Sequence, residues 1–100
     1  MITLREVVAA LQRTDEELTV YAAGGPDASP SSSAVVALDP DEGGVPIEAA
    51  TAGLSYVLDV AQALRVLDVW SDWRDGREPT VDEQCEAILY YAKHDAYLPA

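Results

Sequence analysis

Three times along this chain a short polar side chain stands three residues ahead of a Glu or Gln: Thr3 with Glu6, Asp59 with Gln62, and Thr80 with Glu83. In this arrangement the first side chain accepts from an amide of the opening helical turn, and the second reaches back to the first residue's own amide. Each pair leads into apolar residues at helical spacing. The first helix uses Leu4, Val7, Val8 and Leu11, and the second Val60, Leu64, Leu67 and Trp70. The third uses Val81, Cys85, Ile88, Leu89 and Ala92. These start signals predict three helices and leave the segments between them to strands and turns.

Leu18 to Ala23 alternates Leu18, Val20 and Ala22 against Thr19 and Tyr21. Ala34 to Leu38 is a compact apolar run, and Leu54 to Leu58 places Leu54, Tyr56 and Leu58 on one face with Ser55 and Val57 on the other. Each fits a short strand. Gly24-Gly25-Pro26 and Ser29-Pro30-Ser31-Ser32-Ser33 make a connection that is long for a hairpin. Asp39-Pro40-Asp41-Glu42-Gly43-Gly44 reads as a turn. Pro46 to Ala52 suits one or two helical turns stopped by Gly53. Helices and strands mix without regular alternation, so the expected class is α+β. The expectation is a single domain over residues 1–100, with a small three-stranded, mainly antiparallel sheet packed by three helices and a flexible Gly/Pro/Ser loop at 24–33.

Charge bears on function more than on fold. Eighteen acidic against six basic residues leave a formal charge of −12 on 100 residues. Self-repulsion of that size opposes compaction, but it helps a protein that must find a basic partner quickly. The acids are spread along the chain, so a folded acidic surface is expected, not an acidic tail. Such a surface repels nucleic acid and anionic membranes. A lone Cys85 allows no internal disulfide and suits a reducing compartment. The apolar run from Val7 to Leu11 is too short for a signal-peptide core, and no stretch nears the ~20 apolar residues that span a bilayer. A cytoplasmic location is expected.

Catalytic parts are scarce: one histidine, one cysteine and one lysine. Nucleophilic catalysis needs a nucleophile beside a base and the base beside an orienting group. His94 stands near the end of the last helix, where an imidazole commonly just meets the C-terminal dipole. One Cys and one His do not make a zinc set. Asp39-x-Asp41 followed by Gly44 copies the opening of a calcium loop, but Gly43 and Ala50 occupy positions that need ligands, so an ordinary Asp-Pro turn is the better reading. Paired carboxylates carry no specificity among eighteen acids. No enzyme activity, cofactor or metal is expected.

Binding is better served. On the third helix Asp82, Glu83, Glu86 and Tyr90 fall on or near the side opposite the Val81/Cys85/Ile88 stripe. Acids steer an encounter and an aromatic anchors it, although a solvated helix face fits the same residues. On the second helix Val66, Val69 and Trp73 add a strip beside the main one. Either that helix is sandwiched between sheet and neighbour, or Trp73, flanked by Asp72, Arg74 and Asp75, is a surface anchor. The candidate partner-binding residues are therefore Asp72, Trp73, Asp75, Asp82, Glu83, Glu86 and Tyr90.

From Leu38 onward the order Leu38-Asp39-Pro40-Asp41-Glu42, Gly53-Leu54-Ser55-Tyr56-Val57-Leu58, Tyr90-Tyr91 and Asp95-Ala96-Tyr97 resembles a family of small uncharacterised bacterial domains. Those domains end in a Tyr-Tyr-x-x-Asn-Asp-Ala-Phe-type motif. Here His94 replaces the Asn and Tyr97 the Phe. The resemblance implies an immunity protein of contact-dependent or polymorphic toxin systems, and it brings no catalytic residues. Tyr91 and Tyr97 would close the core around the last helix.

Together these readings lead to the expectation of an acidic inhibitor that neutralises a basic toxin or nuclease by masking its active surface. A non-inhibitory adaptor or homodimerising domain is the alternative. A basic protein partner is expected, with no direct nucleic acid or membrane binding, and the chain would be a monomer or a homodimer.

Overall fold

Thr3 both closes a strand and opens a helix. In the computed structural model, which describes residues 2–38 and 46–99, Ile2–Thr3 forms β1 and Leu4–Ala9 forms α1. The Thr3 amide donates to Glu6 Oε1 at 3.1 Å and the Glu6 amide donates to Thr3 Oγ1 at 3.2 Å, completing the expected capping box. A 3-10 turn at Leu11–Arg13 follows. Next come β2 (Thr19–Ala22), β3 (Ser33–Ala37), α2 (Ile47–Thr51), β4 (Ser55–Asp59), α3 (Val60–Asp72) and α4 (Val81–His94).

The strands form one sheet in the order β1-β3-β2-β4, with every pair antiparallel. The class is α+β, but the described residues hold four strands and four helices where the sequence predicts three of each. The additions are short. At two residues β1 cannot show an alternation, while α2 is the helical turn expected over Pro46 to Ala52, wound into a five-residue helix beside the three main ones. The Asp39–Gly44 turn lies outside the described residues.

All four residues of β2 are buried. Its alternation separates two cores, because β2 is central and covered on both faces. Val20 and Ala22 join the larger cluster, made with Leu4, Val7 and Val8 of α1, Val66, Leu67 and Trp70 of α3, and Cys85 and Ile88 of α4. Tyr21 points the other way, into a smaller cluster with Ala49 of α2 and Leu54. Burying Tyr21 adds a large apolar contribution to that side of the sheet.

The expected facing of β4 needs correction. Val20 pairs with Leu58 and Tyr21 with Tyr56, so Val57 is left over as a bulge. An extra residue in one strand turns the side chains beyond it. Leu54 therefore joins the smaller core and Val57 and Leu58 both join the larger one, while Tyr56 stays 46% exposed.

The second capping box is also corrected. Asp59 stands at the N-cap of α3, but its side chain makes no capping bond. β4 runs straight into α3, and Asp59 pairs with Thr19 of β2, whose hydroxyl donates to Asp59 Oδ1 at 3.2 Å. The third box forms as expected: the Thr80 amide donates to Glu83 Oε1 at 3.0 Å and the Glu83 amide to Thr80 Oγ1 at 3.2 Å.

The connection at 24–33 contains a 3-10 turn at Gly25–Asp27, beside α4 and β4. Gly25 takes φ +53°, and a Cβ there would come within 3.2 Å of Ser55 Cβ and the Tyr56 carbonyl oxygen. The Leu4 and Arg5 amides donate to the carbonyls of Ser32 and Pro30 at 2.8 and 2.9 Å, tying this connection to the start of α1. No helix among the described residues is long and apolar enough to cross a membrane.

Candidate functional site

Asp72 is the last residue of α3, Trp73 caps it, and Asp75 takes a left-handed φ of +57° in the turn beyond. All three are exposed, Trp73 by 51%. The side of Trp73 that is covered is covered by the segment after α4. Asp95, at φ +53°, ends α4 and redirects the chain. Tyr97 then lies edge-on to Trp73 at 6.0 Å between ring centroids and tilted on Tyr91 at 5.2 Å. Arg74 holds this arrangement, donating to the Trp70 and Pro99 carbonyls at 3.0 and 2.9 Å while its guanidinium lies 4.3 Å from the Trp70 ring centroid. Tyr91 and Tyr97 pack against the larger core, as the sequence suggests.

Asp82, Glu86 and Tyr90 succeed one another every four residues and so share one stripe of α4. Asp82 forms an ion pair with Arg5 of α1. Glu86 is exposed, and Tyr90 is half-buried with its ring 4.4 Å from that of His94. With Pro26, Asp27, Ala28 and Lys93 these residues line a cleft of about 330 Å³. Lys93 Nζ lies 3.4 Å from Asp27 Oδ1 across it.

Glu83 sits beside that stripe and is engaged within the chain. Its hydrogen bond from the Thr80 amide, and then the Arg77 guanidinium, hold its carboxyl below the usual value against the opposing effect of burial. Arg77 joins α3 to the start of α4, lying 4.7 Å from the Trp70 ring centroid while Nη2 stands 3.0 Å from Glu83 Oε2. The fold thus gathers Asp82, Glu86 and Tyr90 on α4 and places Asp72, Trp73 and Asp75 at the end of α3.

Two further concavities escape the sequence reading. One, of about 400 Å³, is lined by Gln12, Asp68, Ser71, Glu78 and Gln84 over Leu67 and Pro79. The other, of about 290 Å³, lies between β4 and the end of α4, with Tyr56, Asp59, Gln62, Tyr91 and Asp95 on its walls. The Asp59/Gln62 spacing that marks this second cleft is present in the sequence, where it reads as a helix cap. Among the described residues no group of three or more His, Cys, Asp or Glu is placed to hold a metal ion.

Neither the curated proteins nor the solved structures contain a match to this chain. A family described as a domain of unknown function (DUF7716) matches it over residues 1–100, and the chain belongs to that family.

Proposed function

We propose that this protein is an acidic cytoplasmic inhibitor of the immunity type, which neutralises a basic toxin or nuclease by masking its active surface. The observation that carries the reading is the way the fold uses its few cations. Of six basic side chains, Arg5 and Lys93 are paired with Asp82 and Asp27, Arg77 with Glu83, and Arg74 with backbone carbonyls and the Trp70 ring. Among the described residues, Asp68, Asp72, Asp75, Glu78 and Glu86 are exposed and form none of these ion pairs. Acids so placed raise association with a basic partner above the ~10⁵–10⁶ M⁻¹s⁻¹ of neutral surfaces. Half-exposed Trp73, with Asp72 and Asp75 beside it, supplies an aromatic anchor, and Asp82, Glu86 and Tyr90 extend the contact along α4. The protein acts by binding, without a reaction of its own.

The test is a pull-down from the source cell at low and high salt, followed by an activity assay of what is captured. The expected result is a basic toxin or nuclease that salt releases and that added protein inhibits. Undiminished activity of the captured protein, or an association rate insensitive to salt, would falsify the proposal. Exposure of Trp73 also suits the second reading, a homodimerising or adaptor domain. Sedimentation of a stable dimer that buries Trp73 would favour that reading, and a monomer would not.

A further inference from the structure

We propose that the cleft between β4 and the end of α4 receives the guanidinium of an arginine from a partner protein. This deepens the inhibitor reading and rests on it for the nature of that partner.

Size points to a single side chain. At about 290 Å³ the cleft lies at the bottom of the range for small-molecule sites, roughly 300–1,000 Å³. Its walls point to a cation. Two tyrosines, Tyr56 and Tyr91, two carboxylates, Asp59 and Asp95, and Gln62 line it; among the described residues no Lys or Arg is in the wall, and Arg65 acts on Tyr91 from outside it. Aromatic faces attract a cation within about 6 Å of the ring, and carboxylates accept its N–H groups. Val57, Leu58 and Ala92 add apolar wall for the alkyl stem.

The acceptors are held in place before any ligand arrives. Asp59 Oδ1 accepts from the Thr19 hydroxyl at 3.2 Å and from the Tyr56 hydroxyl at 3.5 Å. These bonds orient the carboxylate, and among the described residues neither of them uses Oδ2, the oxygen that would meet an incoming donor. Gln62 Nε2 donates to the Tyr97 hydroxyl at 3.5 Å, which leaves the Gln62 carbonyl oxygen as a further acceptor. Asp95 comes from a different element, the C-cap of α4, so the carboxylates approach from separate parts of the chain. Several acceptors beside two tyrosines match the planar, five-donor guanidinium better than a compact ammonium.

The experiment is an NMR titration with Nα-acetyl-arginine methylamide, with the lysine analogue run in parallel. Saturable shifts are expected at the Gln62 side-chain amide and at the backbone amides of Tyr56, Tyr91 and Asp95. Asp59→Asn and Asp95→Asn should each weaken binding about tenfold, the loss of one charge-assisted acceptor. Both replacements suit their places, since an Asn Oδ1 at position 59 still accepts from the Thr19 hydroxyl and Asn at position 95 tolerates the left-handed region. The double variant Glu16→Gln/Glu17→Gln, which removes two exposed charges elsewhere, should leave affinity unchanged. Absent shifts, shifts spread evenly over the acidic surface, equal weakening by the double variant, or equal affinity for the lysine analogue would each overturn the proposal. Failure of the cleft with successful toxin inhibition refutes the cleft alone. Arginine binding without a basic toxin partner refutes the inhibitor reading and leaves the cleft standing.

Discussion

Arg77 and Glu83 meet across the turn between α3 and α4, with Nη2 3.0 Å from Oε2 and Nη1 3.5 Å from Oε1. The same carboxylate receives the Thr80 amide, so one side chain both caps α4 and secures the turn before it. Its pKa lies below the ordinary 4.5, chiefly because of the Thr80 amide and then because of Arg77. A depressed folded-state pKa means that the stabilisation is complete above that ordinary value and is lost as pH falls through the folded one. Glu83→Gln keeps an acceptor for the amide but carries no charge. Urea midpoints measured against pH should fall less steeply on the acid side for this variant, and the two proteins should converge at low pH. Parallel curves would show that Glu83 is not part of the acid response.

Gly25→Ala should destabilise the protein more than Gly53→Ala. Both glycines have positive φ, +53° and +74°, so each substitution carries the left-handed strain of about 1–2 kcal/mol. At Gly53 a Cβ meets nothing within 4 Å, whereas at Gly25 it presses on Ser55 Cβ and the Tyr56 carbonyl oxygen at 3.2 Å. Relief there requires the 3-10 turn and β4 to move apart. Thermal unfolding of the two variants gives the comparison, and equal losses would mean that the turn yields freely.

Cys85 should be inert towards an aromatic disulfide reagent in the folded protein and react fully once urea unfolds it. Burial pushes its thiol above the ordinary 9.0, against a smaller opposing effect of Arg5. The thiolate is the reacting species, so both access and ionisation are withheld. Because the folded pKa is raised, the associated stability is present below 9.0 and is lost as pH climbs through the folded value. Rapid labelling in native buffer would contradict the packing of α4 against the sheet.

Local signals made much of this fold readable, and contacts distant in sequence account for what was missed. Thr3/Glu6 and Thr80/Glu83 form their caps because both partners lie within one turn. Asp59/Gln62 has the same spacing, yet Asp59 answers to Thr19, forty positions earlier, through a pairing that no local pattern records. Likewise the alternation in β2 is visible, but not that Tyr21 would find Ala49 and Leu54 waiting on its side of the sheet. The bulge at Val57 breaks the expected facing of β4 because it arises from register with β2. Of the surface candidates, the α4 stripe follows from helical spacing alone. The covering of one side of Trp73 by Tyr97 depends on the left-handed turn at Asp95, where the sequence offers no glycine as a cue.

Leu4, Val7 and Val8 share their cluster with Cys85 and Ile88, and Arg5 is bridged to Asp82. The first helix of the domain therefore has its counterpart in the last. A fragment reaching only through α3 would lack Cys85 and Ile88 and leave α1 covered by the sheet and α3 alone. Folding of this domain should consequently close in a single late step, when α4 emerges to seal it.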